Sequence, residues 1–295
     1  MNKKETSVIK KNTFKVPSHI LMLGKFLQFF SSSWAATFVM KMFITPPNYK
    51  TPEREKMMRE SAKKLKITIP SIQKDIMVYE YGYSKQKVLL THGWAGRGTQ
   101  LYEIADKILE NRMMVISFDA PAHGLSDGKK TSLPEYIECI KHLHEVYGGF
   151  EATIGHSFGG IALLATLAEN SKIQSSLTKK LVIIGIENSI PHIIDLFVQK
   201  LELKPKVAGL IKKRVNRLFA TDLLALSPIE TAKKVKIPTL VLHDTQDFDV
   251  AVSSAYKIRQ NLENGELLVT NGLGHRRILR DKKIIERIIK FIEKS

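Results

Sequence analysis

The sequence predicts an α/β fold with a mostly parallel, twisted sheet of about eight strands and helices on both faces. Three observations favour this class. From residue 67 onward, short apolar runs alternate with amphipathic stretches of helical period. Several of these runs are uninterrupted, as expected for strands that are buried on both faces. Glycines and polar residues directly follow the runs, at the edge where parallel sheets bind ligands.

The individual elements follow from this alternation. The first two strands, "KITIP" and "DIMVYEYG", form a predicted antiparallel pair. The later predicted strands are "KVLLTHGW", "MMVISFDA", "EATIGHS", "KKLVIIGIE", "KIPTLVLHD" and "GELLVTN". Predicted helices are residues 99–110, "LPEYIECIKHLHEVYG", "FGGIALLATLAEN", "SSAYKIRQNLE" and "DKKIIERIIKFIEKS". Ser132 is the expected N-cap of the second of these helices, with Pro134 in its first turn.

One interval breaks the alternation and predicts a helical cap over the ligand crevice. Residues 188–234 contain three stretches of helical period, "PHIIDLFVQKLEL", "PKVAGLIKKRVNRLF" and "TDLLALSPIETAKK". The alternative is a set of extra helices packed on the flank of the sheet. We therefore divide the chain into an N-terminal extension (1–66), a core (67–187 and 235–295) and the cap.

The N-terminal extension holds a strongly apolar stretch, residues 19–44, after a lysine-rich start. It could be a transmembrane helix, a secretory signal, or amphipathic helices that pack on the main domain or lie on a membrane. Lys25 and Lys41 leave too short an apolar run for the first, which needs about 20 residues, so the third is favoured. Residues 53–66 predict an exposed polar helix.

The charge balance favours an anionic partner. Lysine and arginine number 46 against 29 acidic residues, a formal net charge of +17. The chain has no run of five basic residues and no nucleic-acid-binding signature, so a nucleic-acid protein is not expected. An anionic membrane surface, contacted through the N-terminal extension, is the expected macromolecular partner, and a solvated lysine-rich surface is the alternative. The oligomeric state is left open.

The cysteine content indicates the compartment. Cys139 is the single cysteine, so an internal disulfide is excluded. This fits a cytoplasmic protein, with membrane association and secretion left open by the apolar N-terminal stretch.

The stretch "EATIGHSFGG" carries the clearest chemical signal. Ser157 follows a predicted strand and precedes a predicted helix, with Gly155 two residues before it and Gly159 two residues after. A nucleophilic serine needs such a sharp turn, and the glycines allow the backbone to pass neighbouring segments. The helix N-terminus also favours negative charge beside the serine.

Four motifs in order complete a resemblance to the α/β-hydrolase fold superfamily, over residues 70 to 295. They are "THGWAG", "FDAPAHGLSDG", "GHSFGG", and the pair "HDTQDFDV" with "GLGHRR". The combination of "HGWAGRGTQ" and "DAPAHG" is most similar to a poorly characterised bacterial group of serine hydrolases.

The resemblance implies a Ser-Asp-His triad in that chain order. Ser157 is then the nucleophile and His275 the base. Asp244, Asp247 and Asp249 compete for the acid, and the family pattern selects Asp247, with Glu187 in reserve. His92, His123 and His243 are expected to be structural.

The resemblance also implies an oxyanion hole made of the backbone N–H groups of Trp94 and Phe158. Trp94 and His156 are the expected side chains of the substrate pocket, although His156 also fits a structural role. The histidines lack metal-ligand spacing, and nothing in the sequence indicates a cofactor.

These features predict a serine hydrolase that cleaves a small-molecule ester or related acyl bond through an acyl-enzyme. Hydrolytic carbon–carbon cleavage is a variant within this class. A non-catalytic binding protein with the same fold and a membrane-surface lipase or thioesterase are the alternatives.

Overall fold

Eight strands form one sheet in the computed structural model, which describes residues 16–219 and 222–294. They are β1 (Lys63–Ile69), β2 (Lys74–Tyr81), β3 (Lys87–Thr91), β4 (Met114–Phe118), β5 (Ala152–His156), β6 (Leu181–Ile184), β7 (Thr239–Asp244) and β8 (Gly265–Thr270). Their order across the sheet is β1-β2-β4-β3-β5-β6-β7-β8. Strand β2 runs antiparallel to both of its neighbours, and all other pairs are parallel. The predicted sheet is confirmed.

Helices surround the sheet on both faces. The α-helices are α1 (Ser18–Phe30), α2 (Ser32–Phe43), α3 (Lys56–Ser61), α4 (Tyr102–Glu110), α5 (Leu133–Tyr147), α6 (Phe158–Leu167), α7 (Ser171–Leu177), α8 (Ile190–Lys200), α9 (Pro205–Leu218), α10 (Pro228–Ala232), α11 (Ser253–Asn261), α12 (Gly274–Arg277) and α13 (Lys282–Glu293). Apolar residues of α5, α6 and α11 pack on one face of the sheet. Those of α4 and α13 pack on the other face.

Local sequence signals explain two of the helix starts. The Ser132 side chain accepts a hydrogen bond from the Glu135 N–H, and Pro134 lies in the first turn, as predicted for α5. Asp281 caps α13 in the same way through the Ile284 N–H. Capping satisfies N–H groups that have no acceptor inside the helix, so it fixes where each helix begins.

The prediction of one exposed helix over residues 53–66 is wrong. A short 3₁₀ turn, Glu53–Glu55, leads into α3, and β1 already begins at Lys63. The pairing of β1 with β2 joins Lys63 to Glu80 and outweighs the helical preference of the lysine-rich sequence. Glu55 is buried, because its carboxylate binds Arg97 and Thr99.

Helices α8, α9 and α10 occupy the interval between β6 and β7. Helix α9 packs between α2 and α8 through its buried residues Val207, Ile211 and Val215. Helix α10 instead contacts α6 and α11 on the flank of the sheet. Helices α8 and α9 thus contact each other and α2, and their position as a cap over the crevice stays a prediction.

The N-terminal helices α1 and α2 form a hairpin that is attached to this interval. Leu203 packs against Gly24, and Lys25 pairs with Glu202. The Arg214 guanidinium donates to the hydroxyls of Thr37 and Ser33. Among the described residues, no helix has the length and hydropathy to cross a bilayer. The hairpin is thus a packed helix pair, as the sequence favoured.

Candidate active site

Ser157 lies at a sharp turn between β5 and α6. Its backbone is in the left-handed region, with φ of 51° and ψ of −121°. A Cβ atom on Gly155 would lie 2.5 Å from the Gly160 Cα, and one on Gly159 would lie 2.5 Å from the His92 carbonyl oxygen. Both positions therefore require glycine, as predicted. The strained turn lifts Ser157 out of the sheet at the start of a helix.

Asp247 and His275 form a hydrogen-bonded pair. The Asp247 Oδ2 lies 2.7 Å from the His275 Nδ1. The other oxygen, Oδ1, accepts the backbone N–H groups of Asp249 at 2.9 Å and Val250 at 2.8 Å. The Asp247 side chain is 1% exposed. Because three donors fix this carboxylate, it holds a proton on His275 Nδ1 and leaves Nε2 with a free lone pair.

The pair lies beside Ser157. The Ser157 N–H donates to the Ile184 carbonyl at 2.9 Å. At the next residue, Gly185, a Cβ atom would lie 3.2 Å from His275 Nδ1 and 3.5 Å from Asp247 Oδ2. Gly185 has a φ of 61°, a backbone conformation that favours glycine at this position. In the sequence, Gly185 is visible only as a glycine that follows a predicted strand.

The competing carboxylates have other partners. Asp244 accepts hydrogen bonds from a hydroxyl and three backbone N–H groups, on Thr270, Gly274, Leu273 and Gln246. Although burial alone would raise the pKa of Asp244, these bonds outweigh it and lower the pKa. Glu187 binds the Asn188 N–H and the Ser254 hydroxyl. Asp244 thus shapes the loop that carries His275, whereas Asp247 contacts the imidazole.

One group among the described residues could hold a metal ion: ligand atoms of Asp247, Asp249 and His275 lie within 4.8 Å of one another. Three hydrogen bonds already engage the two oxygens of Asp247, and one of them comes from His275 Nδ1. The group therefore fits a hydrogen-bonded acid–base pair.

His92 and His123 tie together the loops after β3 and β4. His92 Nδ1 donates to the Gly93 carbonyl, and its Nε2 accepts the Ala120 N–H at 3.0 Å. His123 Nδ1 donates to the Pro121 carbonyl, and its Nε2 accepts the Ala95 N–H at 3.1 Å. Burial lowers the pKa of His92 well below its usual value.

The pKa of His123 is lowered to about 4, also by burial. Both imidazoles are therefore neutral near pH 7. Each acts as one donor and one acceptor, as the structural role predicted from the sequence requires.

Buried Asp119 supports the same two loops. Its carboxylate accepts the N–H groups of Gly98 at 2.6 Å and Leu125 at 2.8 Å, and the Tyr79 hydroxyl at 3.0 Å. Burial raises the pKa of Asp119 despite these bonds. Asp119 begins the quoted "DAPAHG" motif, but no role was predicted for it from the sequence.

His156 has a structural contact. It is 2% exposed, and its Nε2 donates to the His275 backbone carbonyl at 2.9 Å. Burial, and next the charge on His275, lower its pKa well below the usual value. This contact favours the structural role of His156 over the predicted role in lining the substrate pocket. His243 similarly donates to the Val250 carbonyl and fixes the loop of Asp247.

The loop after β3 brings Trp94 next to Ser157. A Cβ atom on Gly93 would lie 3.0 Å from the Ser157 Cβ, so the loop and the serine are in close contact. The loop closes with a hydrogen bond from the Gly96 N–H to the Gly93 carbonyl, and Ala95 has a φ of 58°. Phe158 opens α6, where the first N–H groups have no acceptor inside the helix.

An aromatic cluster lies over this loop. The Trp94 ring packs edge-on against Phe158, with centroids 5.5 Å apart, and stacks against Phe43 at 6.4 Å. Phe43 also contacts Phe197 of α8 at 5.5 Å. The four rings join the hairpin, helix α8 and the serine loop. Phe43 and Phe197 were not predicted, because in the sequence they are ordinary apolar positions of amphipathic helices.

Two cavities lie near the site. One of about 470 Å³ is lined by loop residues of 47–51, 95–99 and 119–125. Another of about 450 Å³ is lined by residues of 188–189 and 222–230. Ser157 and His275 are not among the residues that line either cavity.

Comparison with known proteins begins with a family model, described as the alpha/beta hydrolase fold, that matches residues 87–225. A monoglyceride lipase homolog of monkeypox virus is 22% identical over 247 residues, covering 72% of this chain and 89% of the viral protein. The family description agrees with the resemblance found in the sequence motifs.

Solved structures share the fold. A crystal structure of a putative lipase from Acinetobacter baumannii superposes with a TM-score of 0.61 at 20% identity, covering 84% of this chain and 98% of that one. An esterase of Pyrococcus furiosus gives 0.64 at 18% identity, covering 85% and 99%. A structure described as a membrane phospholipase A, a bacterial virulence factor, gives 0.63 at 15% identity, covering 94% and 97%. At these identities the likeness establishes the fold.

Proposed function

We propose that this chain, whose residues 87–225 match the family model of the alpha/beta hydrolase fold, is a serine hydrolase that cleaves a carboxylic ester or a related acyl bond. The observation that carries the proposal is the 2.7 Å contact between Asp247 Oδ2 and His275 Nδ1, next to Ser157 at its left-handed turn. The similarity to proteins named as lipases and esterases supports it.

Acylation begins with proton transfer. His275 Nε2 takes the proton of the Ser157 hydroxyl while Oγ attacks the carbonyl carbon of the ester. Asp247 keeps the His275 tautomer correct and stabilises the imidazolium that forms. The backbone N–H groups of Trp94 and Phe158 stabilise the negative oxygen, each by about 3–4 kcal/mol. The intermediate then collapses, and His275 returns the proton to the departing alcohol.

Deacylation repeats these steps with water. His275 removes a proton from a water molecule, which attacks the acyl carbon of the Ser157 ester. The second tetrahedral intermediate uses the same two N–H groups. When it collapses, Ser157 Oγ leaves, recovers its proton from His275, and the carboxylic acid is released.

The substrate class follows from the aromatic cluster. Trp94, Phe158, Phe43 and Phe197 present apolar surface next to the serine loop, which favours an apolar acyl or alcohol group. The name of the viral relative, a monoglyceride lipase homolog, supports an acyl ester of a small alcohol. We therefore infer a small-molecule acyl ester as substrate.

Substitution of the nucleophile tests the proposal. Ser157→Ala should lower turnover of p-nitrophenyl esters by at least about 10³-fold, because the acyl-enzyme cannot form. It should also abolish labelling by a fluorophosphonate probe. Ser175→Ala, at an exposed serine of α7, is the matched control and should keep both activities.

Unchanged turnover in Ser157→Ala would overturn the assignment. Folded wild-type protein that neither labels nor turns over an ester panel would instead favour a non-catalytic binding protein. The panel should run from short to long acyl chains and include thioesters.

A further inference from the structure

An exposed apolar surface runs along the N-terminal hairpin. We call it the aromatic face; it consists of Met22, Leu23, Phe26, Phe29, Phe30 and Trp34. Phe29 is 84% exposed and Met22 is 71% exposed. Phe30 contacts the rings of Phe26 at 5.0 Å and Phe29 at 5.3 Å. The three phenylalanine rings thus form one patch, and Met22 lies one helical turn before Phe26.

The patch is not the packing side of the hairpin. Positions 22, 26, 29 and 30 share one side of α1, since they are spaced as i, i+4, i+7 and i+8. The opposite side holds Gly24, which is buried against Leu203, and the partly buried Leu21 and Leu27. A surface helix normally turns a polar side to solvent. Helix α1 is apolar on both sides, and such contiguous patches mark interaction surfaces.

Basic residues lie beside helix α1. Gln28 accepts the backbone N–H of Lys204, which places exposed Lys204 and Lys206 close to α1. Lys25 projects from α1 itself, where it pairs with Glu202. The whole chain carries a formal net charge of +17. An apolar aromatic patch beside basic residues, on a strongly basic protein, matches the chemistry of an anionic lipid surface.

We propose that the α1–α2 hairpin docks on an anionic phospholipid surface through the aromatic face. Helix α1 has 13 residues and is about 20 Å long, shorter than the roughly 30 Å hydrocarbon core of a bilayer. The hairpin therefore lies in the interface, where aromatic side chains are favoured.

A second copy of the chain is a poorer occupant. Each molecule carries a formal net charge of +17, so two molecules that meet at this face would bring like charges together. Like charges at one interface oppose association, whereas anionic headgroups attract each nearby basic residue by about 1 kcal/mol.

Docking would place the site at the lipid surface. Helix α2 ends at Phe43, whose ring stacks on Trp94 in the serine loop. Arg214 ties the middle of α2 to α9. If the proposed ester hydrolysis holds, the hairpin then brings the aromatic cluster close to the acyl esters of the bilayer. The substrate class would be a membrane-borne acyl ester.

Vesicle sedimentation of the full chain tests the docking. Vesicles of phosphatidylcholine with phosphatidylglycerol, roughly three to one, should pellet the wild-type protein at low salt, and pure phosphatidylcholine should pellet much less. The double variant F26E/F29E should lose at least about tenfold in partitioning, because two exposed aromatic side chains that would insert into the lipid become charged. The matched control M57E/Y83E introduces the same two negative charges at two exposed residues outside the aromatic face. It should bind vesicles like wild type, apart from the effect of those charges.

Turnover of a soluble short-chain ester without vesicles should be the same in wild type and F26E/F29E. A failure of the docking proposal can therefore be distinguished from a failure of the hydrolase proposal. Equal vesicle binding by F26E/F29E and M57E/Y83E would overturn the docking, since general charge would then explain it. The docking would also be overturned if the wild-type protein stays in the supernatant, or if it forms a dimer without lipid that F26E/F29E dissociates.

Trp34 supplies a second measurement. It is 60% exposed, so its fluorescence should shift to shorter wavelength when the anionic vesicles are added. The shift should disappear in Trp34→Phe, which retains the buried neighbours Ala35 and Ala36. A shift that persists in this variant would come from Trp94 and would contradict insertion of the aromatic face.

Discussion

The edge of the sheet that carries Ser157 and the N-terminal hairpin hold their side chains in opposite ways. At the sheet edge, Asp247, His92 and His123 are buried, and hydrogen bonds fix their orientation. On the hairpin, large apolar side chains such as Phe29 face solvent. The opposite side of the hairpin is attached to the rest of the molecule by buried apolar residues such as Ala35 and Val39 and by polar contacts such as that of Arg214 with Ser33.

The difference separates two physical requirements. Proton transfer needs atoms fixed in position and in protonation state, so the sheet edge uses directional bonds in a buried setting. Docking on a lipid surface needs only apolar area and positive charge on one side. A substitution at the sheet edge should therefore change chemistry without changing docking, and a substitution on the aromatic face should do the reverse.

The largest expected effect is at Asp247. Asp247→Asn should lower kcat for soluble esters by about 10⁴-fold, because the amide no longer imposes the required tautomer on His275. Vesicle binding should not change. Asp249→Asn, two residues away, is the control and should keep most activity, since only the Asp249 backbone N–H contacts Asp247. Equal losses in the two variants would contradict the assigned acid.

The second effect concerns pH and His123. In the unfolded chain this imidazole binds a proton near pH 6.5, but in the folded protein only near pH 4. Between these values the unfolded state binds more protons, so the free energy of unfolding should fall as pH drops through 6.5 towards 4. Over this pH range, His123 should lower the free energy of unfolding by an amount on the order of 3 kcal/mol.

His123→Gln keeps an acceptor for the Ala95 N–H but cannot titrate in this range. Urea unfolding between pH 4 and pH 7 should therefore show a shallower slope, by about one proton, in the variant. His92 and His156, whose pKa values are also lowered by burial, should supply the slope that remains. An identical slope in wild type and variant would show that His123 is not kept neutral.

A smaller effect is expected where the two regions meet. Phe43→Ala removes the ring that contacts both Trp94 and Phe197. It should lower kcat/KM for long-chain soluble esters by about tenfold and leave acetate esters nearly unchanged. Phe26→Ala, on the same hairpin but facing solvent, should affect neither substrate in the absence of lipid. Equal effects of both variants would show that the hairpin stabilises the fold without contacting substrate.

The sequence could predict the sheet and the turn at Ser157, because strand burial and close backbone approach impose residue types that are visible locally. Gly155 and Gly159 are examples, since any Cβ there would meet backbone atoms. The choice among Asp244, Asp247 and Asp249 needed the family pattern, and only the fold shows which carboxylate reaches His275.

Other features depend on contacts between distant segments, which periodicity does not report. Helix α1 is apolar on both sides, so its sequence alone could not reveal that Phe26 faces solvent while Gly24 is buried. The start of β1 at Lys63 depends on its pairing with Glu80. The contact of Phe43 with Trp94 joins residues that are far apart in the chain.

The smallest expected effect is on stability at the turn. Ser157→Gly should raise the free energy of unfolding by about 1 kcal/mol, because glycine adopts the left-handed conformation without the strain that a side chain brings. Ser157→Ala keeps the Cβ atom and should not gain this stability. Urea denaturation of both inactive variants beside wild type measures the difference, and equal stabilities would show that the turn is unstrained.

The strained turn at Ser157 sets stability and activity against each other within one residue. A chain selected only to stay folded would gain by replacing this serine with glycine and would lose its proposed nucleophile. If Ser157 is the proposed nucleophile, a serine at this left-handed position indicates selection for reactivity. Its replacement by glycine in a descendant would then indicate that the fold was kept after the chemistry was lost.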